Sequence, residues 1–273
     1  MKKGRSFRPF FLPGIVKFVI SRIVEFGMTY GAYNSRFLTQ LSAEFEMTDK
    51  IDLSVIIPIY NEATTCGEII KRVQAISIVN EIIVVDDAST DGTIQILDTI
   101  DNIRVIRHEQ NSGKGAAVRT GLAHVTGKYV ITQDADLEYD PNDFLKLAEP
   151  ILNGSAEVVY GSRWLDKPIE WRIHTLINLM ITLFANVFNG VFLTDMPTCY
   201  KLIPTNLLKA LDLQANGFGI DAEITAKLTK NGTKISEVPI QYAKRGKSAG
   251  KKLRLQDGLV AAWTCFRHRF LEE

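Results

Sequence analysis

From Asp52 onward the chain alternates short apolar runs with helix-length segments, and this alternation constrains the fold more than any other feature. The apolar runs lie at residues 53–59, 82–85, 103–106, 128–132 and 158–160. The first run is apolar almost throughout, as expected for a strand that is covered on both faces. This pattern predicts an α/β fold with a mostly parallel central sheet and helices on both faces.

The segments between these runs carry helix signals. Helices are predicted to open at Asn61 and at Pro141, since proline is favoured in a first turn, and to span Lys114–His124. Further along, the pattern predicts a strand around Cys199–Ile203 and a strand from Ile235 to Tyr242. A helix is predicted for the segment between them, at 221–230.

The run at 128–132 leads into two carboxylates, Asp134 and Asp136, which are separated by Ala135. On extended backbone, side chains two residues apart point to the same face. Two converging carboxylates suit Mg²⁺ or Mn²⁺, which commonly takes its other oxygen ligands from phosphate and water. Taken alone, such a pair is more often a solvated acidic turn.

Other polar groups also follow predicted strands. Residues 60–62 (Tyr-Asn-Glu) come after the first strand, and the pair Asp86 and Asp87 comes after the second. In open parallel sheets, ligands bind beyond the carboxyl ends of the strands. We therefore expect these groups to share one edge of the sheet with Asp134 and Asp136.

Composition excludes several classes of protein. A net charge of +1 over 273 residues excludes a globally basic nucleic-acid binder, so no nucleic-acid partner is expected. The three cysteines are far apart and odd in number, which favours thiols in a reducing compartment and a cytoplasmic location. The four histidines are scattered and form no zinc pattern.

Several segments are candidates for contact with a membrane. Residues 1–50 form a basic, amphipathic extension, which would either pack on the main domain, 51–255, or lie on an anionic membrane surface. Its charges interrupt the apolar run too early for a signal peptide or a spanning helix. Residues 168–194 are predicted to form interfacial helices, although the apolar run at 176–193 also fits a buried helix. Residues 256–273 predict a C-terminal amphipathic helix.

A cationic run follows the last predicted strand. Residues 244–254 contain six lysines and arginines and no acidic residue. Such a run is usually a solvated loop. Its glycines and serine also permit a mobile loop that folds over phosphate.

Six motifs stand in one order, which is more specific than any one of them. They are Ser54–Glu62, Val84–Thr93, Asn111–Ala117, Asp134–Asp136, Gly161–Arg163 and Gly250–Leu253. This order resembles the family 2 glycosyltransferases of GT-A fold. Within that family it is most similar to the polyprenyl-phosphate hexosyltransferases, which include dolichyl-phosphate mannose and glucose synthases. The likeness covers roughly residues 52–260.

The resemblance implies roles for the matching positions. It places the base and ribose of a nucleotide sugar against Pro58, Tyr60, Glu62, Val85 and Asp87. It makes Asp134 and Asp136 the metal and diphosphate site. It implies phosphate-binding cations at Arg163, Arg245 and Lys251, and Asp134, Asp136 and Arg163 as the catalytic residues. The remaining substrate-binding candidates are Lys114, Ala135, Glu138 and Arg172.

The resemblance also implies the partners. They are a nucleotide-diphosphate sugar, a polyprenyl phosphate, a membrane surface and a membrane-embedded protein. The sequence has no C-terminal spanning helices of the kind that many bacterial relatives carry, so peripheral contact with the cytoplasmic face is expected. Glu138 stands where many relatives carry Gln, and Gly219 replaces a cation of some mannose-transferring relatives. The donor therefore stays open between GDP- and UDP-sugars.

The acceptor decides what else the site needs. When the sugar C1–oxygen bond breaks, the nucleoside diphosphate leaves with a negative charge. A divalent ion, helped by Arg or Lys, would stabilise that charge. A lipid phosphate is already an anionic nucleophile and needs no strong base. A sugar-hydroxyl acceptor would need a carboxylate base, for which Asp221 and Glu223 are the candidates.

Functions outside glycosyl transfer fit the sequence less well. In a phosphohydrolase with an Asp nucleophile, Asp134 would form a phospho-aspartate, but that motif normally sits on an early strand. In a response-regulator-like module, the acidic pair follows the first strand, whereas Asp86 and Asp87 follow the second. A nucleotide kinase is disfavoured because the residues around Lys114 do not form a P-loop.

Overall fold

The computed structural model describes residues 51–166 and 173–243, together with residues 263, 264, 266 and 267. Residues 1–50 and most of 256–273 lie outside the described residues. So do Arg172, Arg245 and Lys251, and the cationic run 244–254 as a whole.

The described ranges contain strands and helices in almost regular alternation. The strands are β1 (Leu53–Ile59), β2 (Val79–Asp86), β3 (Arg104–Arg107), β4 (Tyr129–Thr132), β5 (Val158–Ser162), β6 (Lys201–Pro204) and β7 (Ile235–Pro239). The helices are α1 (Cys66–Gln74), α2 (Thr93–Leu97), α3 (Lys114–His124), α4 (Asp143–Leu152), α5 (Ile173–Asn189), α6 (Thr205–Ala210) and α7 (Ile220–Lys230).

The strands form one sheet in the order β3-β2-β1-β4-β6-β5-β7. Strands β1 to β4 pair in parallel, and so do β5 and β7. Strand β6 runs antiparallel to both of its neighbours, β4 and β5. The prediction of a mostly parallel sheet is confirmed. The direction of β6 was not predicted, because an apolar run does not encode the direction of its strand.

The core is built on β1, where six of seven residues are buried because helices and neighbouring strands cover it on all sides. Aromatic packing continues the core under the acidic segment that follows β4. The ring of Tyr200 lies 4.8 Å from that of Tyr139 and 5.1 Å from that of Phe144. These ring contacts pack the loop after β4 against the core.

Several predicted boundaries differ from the structure. The second strand begins earlier, at Val79, and the strand predicted to run to Tyr242 ends at Pro239.

Two helix starts also differ. The helix expected to open at Asn61 begins at Cys66, because Asn61 has a left-handed φ of 56° and its side chain bonds to a neighbouring loop. The helix expected to open at Pro141 begins at Asp143, after a turn in which the N–H of Asp143 donates to the carbonyl of Asp140.

Candidate active site

The loops after β1 and β2 are bonded to each other at the carboxyl edge of the sheet. The N–H of Asn61 donates to Ser89 Oγ at 2.9 Å, and the N–H of Thr90 donates back to Asn61 Oδ1 at 2.8 Å. Asn61 and Ala88 both have left-handed backbone, with φ of 56° and 63°. Strained backbone of this kind persists where surrounding contacts fix it, and it concentrates at functional sites.

The predicted nucleotide pocket lies along this edge. Pro58 and Val85 are direct neighbours in the pairing of β1 with β2, one residue before the ends of their strands. Tyr60 follows in the loop and is exposed, while the N–H of Glu62 donates to Thr93 Oγ1 at 3.0 Å. The structure therefore brings these four candidates together, and their contact with a nucleotide stays a prediction.

Asp87 is buried and bonded within the protein. Its carboxylate accepts from the N–H groups of Ser112 and Gly113 at 2.9 and 2.8 Å, and His108 Nδ1 lies 2.7 Å from Oδ1. The side chain thus fixes the segment that precedes Lys114. This structural role was not foreseen, because the sequence linked Asp87 only to the nucleotide.

The N-terminus of α3 packs against the backbone of residues 215–217. Gly113 has a φ of 95°, and a Cβ there would lie 2.5 Å from the carbonyl oxygen of Asn216. A Cβ at Gly115 would lie 2.3 Å from the carbonyl oxygen of Ala215. Only glycine permits so close an approach. The N–H of Ala116 completes the contact by donating to Asn216 at 3.0 Å.

Asp134 and Asp136 are half-buried in the loop after β4. Lys114 Nζ lies 2.7 Å from Asp134 Oδ1. Asp136 Oδ1 accepts from the N–H of Glu138 at 3.1 Å, and Leu137 between them has a left-handed φ of 62°. The acidic segment is therefore an ordered turn that β4, Lys114 and its own backbone hold in place.

The two aspartates suit a hard divalent cation, since carboxylate oxygens are the ligands that Mg²⁺ and Mn²⁺ prefer. Within the described ranges, no group of three or more His, Cys, Asp or Glu side chains is arranged to hold a metal ion. Two carboxylates that leave the remaining positions to diphosphate and water fit the usual mode of Mg²⁺ binding.

Arg163, which follows β5, is clamped by Asp195. Its Nε and Nη2 both donate to the Asp195 carboxylate at 2.7 Å, and both side chains are almost completely buried. The guanidinium also lies 5.2 Å from the ring centroid of Tyr242 and 5.9 Å from that of Tyr139. Burial opposes the charge, but Tyr139 and Asp195 hold the pKa of Arg163 well above its usual value.

Glu237 holds the backbone at Asp195, the residue that pairs with Arg163. Its carboxylate accepts from the N–H groups of Thr194 and Asp195 at 2.8 and 3.1 Å. Burial raises the pKa of Glu237, and the neighbouring Asp195 carboxylate adds to the rise. The buried carboxylate of Asp195 and the half-buried carboxylate of Glu237 thus stand behind the guanidinium of Arg163.

Glu138 connects the acidic loop to the segment that leads into the cationic run. Its carboxylate accepts from the hydroxyl of Tyr242 at 2.6 Å, and its carbonyl accepts from the N–H of Ala243 at 2.8 Å. Ala243 is the residue directly before the run 244–254. The structure therefore ties the residue before this run to the loop that carries Asp136.

The two candidate bases are both engaged by lysine. Lys201 Nζ lies 2.6 Å from Asp221 Oδ1, and this lysine is 4% exposed. Glu223 is fully buried and lies 2.7 Å from Lys227 Nζ. Its carboxylate also accepts from the N–H groups of Gln214 and Ala215 at 2.8 and 2.7 Å. Burial opposes ionisation, yet these partners lower the pKa of Glu223.

Some site residues were missed by sequence reasoning. They are His108, Asp195, Lys201 and Glu237. None of them lies in one of the six motifs. His108 does come two residues after the predicted strand 103–106, the same spacing as Asp134 after its strand, so its position could have marked it. No local signal marks the other three. Among the residues predicted to bind substrate, Ala135 is buried in the acidic turn, where it contributes shape and no polar side chain.

Comparisons with known proteins identify the class. Residues 54–210 match glycosyl transferase family 2. The chain is 32% identical over 220 residues to the UDP-N-acetylglucosamine–dolichyl-phosphate N-acetylglucosaminyltransferase of Methanococcus voltae, covering 71% of this chain and 86% of the relative. It is 28% identical over 232 residues to the polyprenol monophosphomannose synthase of Mycolicibacterium smegmatis, covering 77% and 85%.

Solved structures show the same fold. Glucosyl-3-phosphoglycerate synthase from Mycobacterium tuberculosis, crystallised with Mn²⁺, uridine diphosphate and phosphoglyceric acid, superposes with a TM-score of 0.61 at 20% identity. That match covers 81% of this chain and 78% of the other. Its complex with Mg²⁺ and uridine diphosphate gives 0.62 at 21% identity, with coverage of 83% and 81%.

The chain belongs to glycosyl transferase family 2, and it has the GT-A fold. The predicted family, fold and enzyme class are confirmed. The resemblance to the polyprenyl-phosphate group is confirmed by the names of the similar proteins. Family membership also removes the phosphohydrolase and response-regulator alternatives.

Proposed function

We propose that this protein transfers a hexose, with inversion, from a nucleotide-diphosphate sugar to a polyprenyl phosphate at a membrane surface. The observation that carries the choice of acceptor is the state of the two candidate bases. Both are held in ion pairs with lysine, as described above. The names of relatives that act on dolichyl phosphate or make polyprenol monophosphomannose support the same choice.

A carboxylate works as a general base only if it can reach the acceptor and take up a proton. The fully buried Glu223 can do neither, since two backbone N–H groups and Lys227 surround it. Asp221 Oδ1 is already engaged by Lys201 Nζ at 2.6 Å, so it is not presented to an acceptor. A phosphate acceptor avoids the problem because its oxygen is already ionised.

On the donor side, Asp134 and Asp136 would hold Mg²⁺ or Mn²⁺. The ion, when bound, stabilises the negative charge that develops on the leaving diphosphate. Lys114 lies next to this position, so the protein adds a positive charge of its own. In the same proposal, Arg245 and Lys251 serve the donor phosphates and Arg172 meets the acceptor phosphate. Arg163 keeps its predicted role at the phosphates, with its guanidinium oriented by Asp195.

Helix α5 supports contact with a membrane, because its outer side is apolar. Its side toward the protein buries Ile181 and Ala185 together with the polar residues Thr175, Asn178, Thr182 and Asn189. Its outer side exposes the apolar residues Leu176, Met180, Leu183, Phe184 and Val187. No helix among the described residues is both long and apolar enough to span a bilayer. An exposed apolar stripe suits the interfacial role predicted for 168–194, with the helix lying in the plane of the surface.

The membrane contact can be tested on α5. The double variant Leu183→Glu with Val187→Glu should lose at least tenfold in affinity for vesicles that contain anionic lipid, since burying each such side chain contributes roughly 1.5–3 kcal/mol. Gln95→Glu with Thr99→Glu also adds two acidic groups, but on an exposed part of the chain at α2. This control should bind vesicles like the wild type. Equal binding by both variants would remove α5 from the interface.

Substitution of Asp221, the candidate base that pairs with Lys201, tests whether the acceptor is a phosphate or a hydroxyl. Asp221→Asn would leave the buried Lys201 without its carboxylate, so the double variant Lys201→Met with Asp221→Asn is the better probe. It removes both charges together. With polyprenyl phosphate as acceptor, we expect the double variant to keep roughly a tenth or more of wild-type turnover, and its pH profile to keep the shape of the wild-type profile.

Arg172→Ala tests the lipid-phosphate acceptor directly, because Arg172 is the residue proposed to bind that phosphate. It should weaken the response to polyprenyl phosphate while the affinity for nucleotide sugar stays near the wild-type value. If the double variant is inactive despite a normal thermal unfolding curve, and Arg172→Ala changes nothing, the acceptor is a hydroxyl and the lipid-phosphate proposal is wrong.

A further inference from the structure

A lysine side chain already lies against one of the two aspartates, Asp134 and Asp136, that are proposed to bind metal. Lys114 Nζ lies 2.7 Å from Asp134 Oδ1, and the two side chains are only 16% and 25% exposed. The lysine Nζ therefore occupies a carboxylate that a divalent ion would need.

The position of Lys114 is fixed by the backbone around it. On its N-terminal side, Asp87 binds the N–H groups of Ser112 and Gly113. On its C-terminal side, the backbone of Gly115 lies so close to the carbonyl of Ala215 that no Cβ would fit, so α3 cannot shift toward residues 215–217. The backbone at Lys114 is thus held on both sides, which places its side chain beside Asp134 and makes the ion pair a built feature of the site.

We propose that Lys114 is an internal counter-ion that keeps Mn²⁺ or Mg²⁺ from binding Asp134 until a nucleoside diphosphate is present. The inference rests on the metal site of the proposed function. Without nucleotide, the two aspartates and the ammonium sum to a single negative charge, which attracts a divalent ion weakly. A diphosphate adds negative charge and offers oxygens to both the ion and the ammonium.

Ordered binding follows from this arrangement. The metal ion and the nucleotide should bind together, and each should raise the affinity for the other by the same factor. The site would thus stay without a firmly held ion between turnovers.

The test measures Mn²⁺ binding by electron paramagnetic resonance on the full chain, without turnover. Nucleotide-free Lys114→Met should bind Mn²⁺ about tenfold more tightly than the wild type, because the competing charge is gone. Lys146→Met is the matched control. It also removes a lysine 2.7 Å from an aspartate, Asp143, and it should leave Mn²⁺ binding unchanged.

The wild type supplies a second measurement that needs no variant. Saturating GDP or UDP should tighten Mn²⁺ binding at least tenfold, and this gain should shrink in Lys114→Met. The proposal is overturned if Lys114→Met binds Mn²⁺ no more tightly than the wild type, or if nucleotide leaves wild-type affinity unchanged.

These failures are separate from failure of the proposed function. A wild-type protein that glycosylates polyprenyl phosphate, but whose Mn²⁺ affinity ignores both Lys114 and nucleotide, overturns the inference alone. A protein that binds Mn²⁺ as described but never glycosylates a lipid phosphate overturns the proposed acceptor and leaves the inference standing.

Discussion

Asp136→Asn is expected to lower turnover by a hundredfold or more while the fold survives. The substitution keeps the shape of the side chain and removes a negative charge from the proposed metal site. Losing stabilisation of the charge on the leaving diphosphate costs about 3–4 kcal/mol in the transition state, which corresponds to this loss of rate. Steady-state kinetics with saturating Mn²⁺ and nucleotide sugar measures the effect.

Asp140→Asn is the control for that substitution. Asp140 lies in the same segment and accepts from the N–H of Asn142 at 3.0 Å. It makes no part of the proposed metal site, so its variant should keep most of the wild-type turnover. Asp134→Asn should behave like Asp136→Asn. Near-normal turnover by both of these variants would show that the acidic pair does not serve the reaction.

Asp195→Ala is expected to destabilise the protein by about 3–5 kcal/mol, because it strands a buried guanidinium without its partner. Asp195 is completely buried and Arg163 is 7% exposed, so water cannot replace the lost carboxylate. The free energy of unfolding, measured by chemical denaturation, should fall accordingly. Where the variant still folds, turnover should fall as well, since Arg163 would lose its orientation.

Asp98→Ala is the matched control for stability. Asp98 also pairs with an arginine, Arg107, but these side chains are 59% and 44% exposed. An exposed pair of this kind contributes about 0–1 kcal/mol. Equal and small losses for Asp195→Ala and Asp98→Ala would contradict the account of Arg163 as a buried, clamped cation.

The sequence predicted the sheet well because buried parallel strands have a clear pattern. Strand β1 was predicted with its observed bounds, since its residues 53–59 are apolar on both faces. The prediction that the polar loops share one edge of the sheet followed from topology, because parallel strands have their carboxyl ends on the same side. The convergence of the loops at Asn61, Asp87 and Asp134 is therefore a consequence of strand order.

The ion pairs of the site could not be predicted in the same way. Arg163 and Asp195 are 32 residues apart, and Lys201 and Asp221 are 20 apart. No local period links such residues, and only the packed fold brings them together. Glu223 shows the limit most clearly. The sequence suggested it as a possible base because it is an acidic residue in a predicted helix. In the structure it is buried, and its carboxylate binds the N–H groups of residues 214 and 215.

Helix α5 escaped a firm prediction for a different reason. The sequence shows that the segment is apolar with interspersed asparagine and threonine, but it does not show which side faces the protein. In the structure the inward side of α5 is mixed, because polar side chains lie beside the buried Ile181 and Ala185. Asn189 donates to the carbonyl of Ala185 and Thr182 to that of Asn178. Hydrogen bonds of this kind compensate polar burial in part.

The central claim is that the acceptor is a polyprenyl phosphate, and product analysis tests it most directly. The purified full chain is incubated with Mn²⁺, a panel of GDP- and UDP-sugars, and a polyprenyl phosphate in vesicles. The lipid fraction is then analysed by mass spectrometry. The account predicts one hexosyl phosphate lipid, with one nucleoside diphosphate released per lipid product and inversion at the sugar carbon. Transfer to a sugar hydroxyl, with no glycosylated lipid phosphate from any donor, would contradict it.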